Sequence, residues 1–134
     1  MGGRFVDTNV LLYLASGDHR KADRAEAVLA QGGTISVQVL NEIANVLRRK
    51  MRMSWPETYV FLGTIRALLQ VEPVTQATHE TGLRVSERYG LSIYDAMIVS
   101  AALTAGCDTL LSEDMQDGLV VDDRMRIVNP FGES

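Results

Sequence analysis

Short β-branched runs separated by longer amphipathic stretches constrain this chain more than any other feature. Phe5-Val6, Thr34-Ile35-Ser36-Val37, residues 71–74, Thr109-Leu110-Leu111 and Arg126-Ile127-Val128 read as strands. Between them apolar residues recur three and four positions apart, the spacing of one helix face. That spacing predicts helices over 10–15, 19–30, 38–51, from 54 or 55 to 69, 76–89 and 93–105. Asp18, Ser54, Thr75 and Ser92 stand where helix N-caps are expected, and Gly32, Gly90 and Gly106 where helices end. Strands alternating with helices define an α/β chain, with a parallel five-stranded sheet flanked by helices on both faces. A length of 134 residues, 46% of them hydrophobic, suits a single domain over 1–134 with a sizeable core.

Several classes are excluded or disfavoured. The opening Met1-Gly2-Gly3-Arg4 lacks the apolar run of a signal peptide, and no later stretch is long enough to span a membrane. A cytoplasmic protein without membrane attachment is therefore expected. Cys107 stands alone, which rules out an internal disulfide and a Cys-rich zinc site. His19 and His79 are the only imidazoles, so any metal is expected to be hard and oxygen-liganded, Mg²⁺ or Mn²⁺. A net charge of −4 argues at face value against a nucleic-acid partner. If several acids gather round a metal, however, the remaining surface is near neutral. The bases also cluster, as Arg48, Arg49, Lys50 and Arg52 and as Arg20, Lys21 and Arg24. Such runs are solvated helix faces or phosphate contacts.

Right-handed crossovers in a parallel sheet bring the carboxyl ends of its strands to one edge, where ligands of open α/β sheets bind. Five acids are candidates for that edge. Asp7 follows the first strand and is equally a helix cap. Glu42 lies between Val39 and Val46, beside an apolar stripe, where an unpaired carboxylate is costly unless an Arg or a site partner meets it. Asp95 follows Ser92 by three positions, which also reads as a capping arrangement. Asp114 and Asp117 follow the fourth strand in what is otherwise an ordinary acidic turn ending in Asp-Gly. Each local explanation is tolerable alone. Together, four strand–helix junctions each carry an acid near one edge, and such carboxylates raise each other's pKa. A divalent cation keeps them ionised side by side, and the chemistry this suits is phosphodiester hydrolysis.

The segments Phe5-Val6-Asp7-Thr8-Asn9, Ser36-Val37-Gln38-Val39-Leu40-Asn41-Glu42, Leu91-Ser92-Ile93-Tyr94-Asp95-Ala96 and Leu111-Ser112-Glu113-Asp114-Met115-Gln116-Asp117-Gly118 occur in that order along nearly the whole chain. In this the chain resembles the PIN domains, and among them the VapC-type ribonuclease toxins of toxin–antitoxin modules. The resemblance implies that Asp7, Glu42, Asp95 and Asp114 are the acidic metal-binding residues, with Asp117 an additional acid. It implies that Ser112 supplies a supporting hydroxyl and that Thr8 and Asn9 orient the first acid. It further implies Mg²⁺ or Mn²⁺ as cofactor, RNA as substrate, a homodimer, and silencing by a cognate antitoxin whose tail enters the site. On this reading Asp7, Asp95 and one of Asp114 or Asp117 hold the main metal ion, Glu42 binds metal or orients the attacking water, and the bases Arg48, Arg49, Lys50 and Arg52 guide the RNA backbone. The alternatives are a PIN-like domain that only binds RNA or protein, and a phosphatase with Asp7 as nucleophile. The latter needs an acid two positions on, where Asn9 stands, and a nearby lysine, of which only Lys21 and Lys50 exist.

Overall fold

A computed structural model of the chain describes residues 2–132, leaving Met1, Glu133 and Ser134 outside the described residues. The elements follow in the order β1 (Arg4–Val6), α1 (Thr8–Leu12), a 3-10 turn (Tyr13–Ala15), α2 (His19–Ala30), β2 (Thr34–Ser36), α3 (Val37–Arg49) and α4 (Trp55–Leu68). They continue with β3 (Gln70–Glu72), α5 (Gln76–Tyr89), α6 (Ile93–Thr104), β4 (Thr109–Leu111), β5 (Val120–Val121) and β6 (Met125–Val128). Side-chain caps set several of these starts. Asp18 accepts from the Lys21 N–H, Ser54 and Glu57 form a reciprocal capping box with Pro56 in the first turn, and Thr75 pairs with Thr78 in the same way. Gly90, at φ 70°, takes the left-handed conformation that ends α5.

The strands lie in the order β3-β2-β1-β4-β6-β5. Every neighbouring pair is parallel except β5 with β6. The sheet thus has six strands, not the five expected, because Val120–Val121 adds an antiparallel edge. Two residues are too few to show a period. The turn after this strand is also unusual in composition. Asp122 and Asp123 both have φ 54°, the pattern of a tight hairpin turn that Asn-Gly normally advertises. Asp122 is held there by paired hydrogen bonds from Arg84, at 2.8 and 3.3 Å, and by one from the Tyr89 hydroxyl at 3.1 Å.

Phe5, Ile35, Leu110 and Ile127, one from each of four adjacent strands, are fully buried. Burial of this kind stabilises by about 1.5–3 kcal/mol per side chain. Helix α3 covers the sheet with Val39, Ile43 and Leu47, four positions apart, and α6 is buried continuously from Ala96 to Leu103. Among the described residues no helix is long and apolar enough to cross a membrane.

The position of β1 in the sheet determines where a ligand can sit. The chain leaves it toward β2 and β3, then returns to its other side with β4. The strand order therefore reverses between β1 and β4, and a crevice opens beyond their carboxyl ends.

Candidate functional site

Asp7 is the first residue past β1, and its N–H donates to the Leu111 carbonyl of β4 at 2.9 Å. Its side chain is thereby planted in the crevice. One carboxylate oxygen accepts from the Thr8 N–H at 2.7 Å and caps α1. The other accepts from Ser112 Oγ at 2.8 Å and from Asn9 Nδ2 at 3.3 Å. The residue is 5% exposed. Its pKa is pushed up to about 6, chiefly by burial, with Asp95 and Glu42 adding to the rise and the Ser112 and Thr8 hydrogen bonds opposing it.

Glu42 stands in the second turn of α3, half-buried. Thr8 Oγ1 donates to one of its oxygens at 2.5 Å and Gln38 Nε2 to the other at 2.9 Å. These polar partners, and not an ion pair with an Arg, account for its place beside the apolar stripe. Gln38 also donates to the Tyr94 carbonyl at 3.1 Å, which ties the start of α3 to the start of α6.

Asp95 lies in the first turn of α6, where its N–H donates to Ser92 Oγ at 3.2 Å. Here the four-junction expectation needs correction: α6 follows α5, not a strand. Asp95 reaches the same edge because α6 runs back to feed β4, so its N-terminus lies over the strands' carboxyl ends. Its pKa is raised, again mainly by burial, then by Asp114 and Glu42, against the Ser92 hydrogen bond. Mutual repulsion among the acids is thus the smaller cause.

Asp114 is exposed on the loop after β4. With Asp7, Thr8, Asn9, Leu12, Glu42, Asn45, Val46 and Asp95 it lines a cleft of about 300 Å³ whose walls hold no cationic side chain among the described residues. Asp117 is not brought there. Its Oδ1 accepts from the Asn129 N–H at 2.9 Å and braces the loop against the end of β6. Two larger hollows, about 750 and 580 Å³, lie along α4 between mainly apolar walls. Size alone does not mark the chemistry in this molecule.

The cleft donors are carboxylates, amides and one hydroxyl, an oxygen set suited to a hard divalent cation. Behind the cleft walls, at the end of β2, Ser36 holds a buried hydroxyl with no hydrogen-bond partner among the described residues. Pairing of Phe5 with Thr34 places Ser36 alongside Asp7. Among the described residues no three His, Cys, Asp or Glu side chains cluster tightly enough to enclose an ion by themselves. The residues fit an ion of the Mg²⁺ kind, which is held through few carboxylates and keeps much of its water.

Several supporting residues escape a reading of the sequence. Gln38 sits one turn before Glu42 and is legible from helical spacing once Glu42 is suspected. The group Tyr13, Lys21 and Glu113 carries no local signal. Lys21 forms an ion pair with Glu113, Tyr13 Oη donates to Glu113 at 2.6 Å, and the Glu113 N–H donates to Asn9 Oδ1 at 3.2 Å. This clamps the loop bearing Asp114 onto α1 and α2. One base from each cluster makes contacts within the fold. Arg48 donates to the Met53 carbonyl at 2.7 Å and stacks on Trp55 at 4.1 Å, and Arg24 donates to the Pro130 carbonyl at 2.8 Å. Arg49, Lys50 and Arg52 are exposed.

A sheet that switches direction beside its first strand, with an acid-lined cleft at the switch, defines an open α/β fold whose ligand crevice lies between β1 and β4. Residues 4–116 match the PIN domain family, and the chain belongs to that family. Comparison of the sequence with curated proteins yields no significant match. Among solved structures, a toxin–antitoxin complex from Klebsiella pneumoniae is similar, with a TM-score of 0.72, 22% identity, and coverage of 96% of this chain and 98% of that one. VapC20 of Mycobacterium tuberculosis, described as a sarcin-ricin loop cleaving toxin, has a TM-score of 0.66 at 22% identity, covering 83% and 89%. DNA-bound VapBC from Salmonella typhimurium has a TM-score of 0.66 at 16% identity, covering 95% and 97%. At these identities the likeness is one of fold.

Proposed function

We propose that the chain is a divalent-metal-dependent endoribonuclease acting as the toxin of a type II toxin–antitoxin pair. The observation that carries this reading is the convergence of Asp7, Glu42, Asp95 and Asp114, from four separate segments, on one cleft without a basic side chain among its described walls. Burial, and to a smaller extent mutual repulsion, disfavours the ionised forms of Asp7 and Asp95, and a cation in the cleft offsets both. Toxin–antitoxin proteins among the structural neighbours support the biological setting.

Asp7, Asp95 and Asp114 are assigned as holders of Mg²⁺ or Mn²⁺, which supplies polarisation of the phosphodiester and activation of water when bound. Ser112 and Asn9 fix the second oxygen of Asp7, and Thr8 and Gln38 fix both oxygens of Glu42. Glu42 is thereby oriented to bind metal or to align the attacking water. Asp117 is assigned to bracing the loop. The protein partners proposed are a second copy of the chain and a cognate antitoxin, in the cytoplasm.

The test is cleavage of single-stranded RNA with Mn²⁺ by the purified wild type and by Asp7→Asn, Glu42→Gln, Asp95→Asn, Asp114→Asn and Asp117→Asn. The first four substitutions should lower the rate at least ~10²-fold, an order set by loss of a charge-stabilising group. Asp117→Asn should stay within a few-fold of wild type. Equal cleavage by wild type and Asp7→Asn would sink the assignment, and no cleavage by wild type would favour a domain that only binds.

A further inference from the structure

A second cleft of about 290 Å³ adjoins the acidic one, and Asn9, Leu12 and Asp114 belong to the walls of both. Its other walls include Tyr13 and Met51. Met51 is 39% exposed and shares this cleft with the Glu113 and Asp114 carboxylates. It lies in the α3–α4 turn, which is not loose. The Met51 N–H donates to the Val46 carbonyl at 3.1 Å and the Met53 N–H to the Leu47 carbonyl at 2.9 Å. Arg52 between them has φ 53°, the left-handed region that non-glycine residues seldom adopt. That conformation turns Met53 onto the core and leaves Met51 over the cleft.

Tyr13 is equally fixed. Its ring meets Phe131 edge-on at 4.9 Å, and Lys21 Nζ lies 4.7 Å from its centroid. Lys21 also balances Glu113, which leaves Asp114, at the wall shared with the acidic cleft, as the carboxylate without an ion-pair partner among the described residues here. Around Met51 in sequence stand the exposed cations Arg49, Lys50 and Arg52. Arg49 is one helical turn on from Asn45 and Val46, which line the acidic cleft. A slot with Leu12, Tyr13 and Met51 on its apolar side, exposed cations next to Met51 in sequence, and a wall shared with a proposed phosphodiester-cleaving centre matches one ligand best. That ligand is a nucleotide of a single strand, whose base needs an apolar surface and whose phosphate needs positive charge.

We infer that the cleft between Leu12, Tyr13 and Met51 is a nucleobase subsite for the nucleotide next to the scissile phosphate, with Arg49, Lys50 and Arg52 taking its backbone. The inference rests on the ribonuclease reading, but its test need not. A fluorescein-labelled single-stranded 2′-O-methyl RNA dodecamer, resistant to cleavage, is titrated against wild type, Met51→Ala, Met51→Leu and Arg49→Gln at several salt concentrations.

Met51→Ala should weaken binding roughly two- to ten-fold, the range of a flexible apolar side chain against a ring, with an unchanged salt slope. Met51→Leu should bind near the wild-type level. Arg49→Gln should lower the slope of log K against log salt by about 0.7, one phosphate contact on a single strand. Dodecamers carrying one abasic site, placed at each position in turn, should include one that no longer distinguishes wild type from Met51→Ala.

The subsite is refuted if wild type does not bind the strand. It is refuted as well if Met51→Ala binds like wild type, or if its loss is the same whichever base is missing. The two readings fail separately. Binding that depends on Met51 without Mn²⁺-dependent cleavage removes the nuclease and keeps the subsite. Cleavage with an unchanged KM in Met51→Ala does the reverse.

Discussion

Asp7→Asn should make the metal-free protein more stable while destroying the proposed activity. The carboxyl of Asp7 has its pKa raised from 3.8 to about 6 by burial. A group with a raised acid pKa binds its proton more tightly folded than unfolded. Its ionisation therefore destabilises the fold, with the penalty absent below the unfolded pKa near 3.8 and complete above about 6. A rise of about two units corresponds to about 3 kcal/mol at neutral pH. Asparagine has no such penalty, and its oxygen can still cap α1 through the Thr8 N–H, now 2.7 Å from the carboxylate. Its amide meets the Asn9 amide, donor against donor, which removes the 3.3 Å hydrogen bond and about 1 kcal/mol. The net gain is about 2 kcal/mol, or roughly 6–10 °C in Tm for a chain of this size. Thermal melts in EDTA from pH 4 to 8 measure it. The difference should be largest at and above pH 7, pass through zero between about pH 4 and 5, and reverse slightly at the acid end. Equal or lower stability of Asp7→Asn at pH 7.5, or a difference independent of pH, would refute the reasoning.

Mn²⁺ should raise the Tm of wild type but not of Asp7→Asn. Because a proton competes for Asp7, apparent affinity should fall up to about tenfold per pH unit below about 6. Calorimetry at pH 5 and 7.5 showing equal affinity would contradict this. Lys21→Met removes the partner of Glu113, whose side chains are 22% and 21% exposed, and should cost about 1 kcal/mol in urea unfolding. Combination with Glu113→Gln should be less than additive, and strict additivity would show that the two do not act together. Gly33→Ala places a Cβ 2.9 Å from the Arg4 carbonyl oxygen at φ 148° and should destabilise by about 1–3 kcal/mol. Gly17→Ala, with nothing within 4 Å of its Cβ, should stay within about 0.5 kcal/mol of wild type.

Local pattern reaches far in this chain. The spans of α2 and α5 and the strand Thr109–Leu111 follow from helical period, caps and β-branched runs, which act over a few residues. Asp7 is legible both as cap and as cleft residue because one carboxylate has two oxygens to share. The features hidden from the sequence depend on distance or on a single backbone choice. The β5–β6 hairpin turns on Asp122 and Asp123, stabilised by Arg84 from another helix. The clamp of Lys21 on Glu113 joins residues 92 apart. The dominance of burial over repulsion at Asp7 and Asp95 requires the packed molecule, since charge spacing in sequence says nothing of desolvation.

The split of the cleft across β1 and β4 has a consequence for how the protein is made. Ser112 and Asp7 are 105 residues apart, and Tyr13 and Glu113 are 100 apart. On a ribosome, Asp7 emerges early and waits. Fragments that stop before β4 carry Asp7, Glu42 and Asp95 but have neither Ser112 to orient the first acid nor Asp114 to complete the group. Closing so long a loop also comes late in folding, because its entropy must be overcome before the contact forms. Docking of β4 against β1 is thus the folding step that brings Ser112 and Asp114 to the cleft. Under the proposed ribonuclease function, a chain stopped before β4 should not cleave RNA.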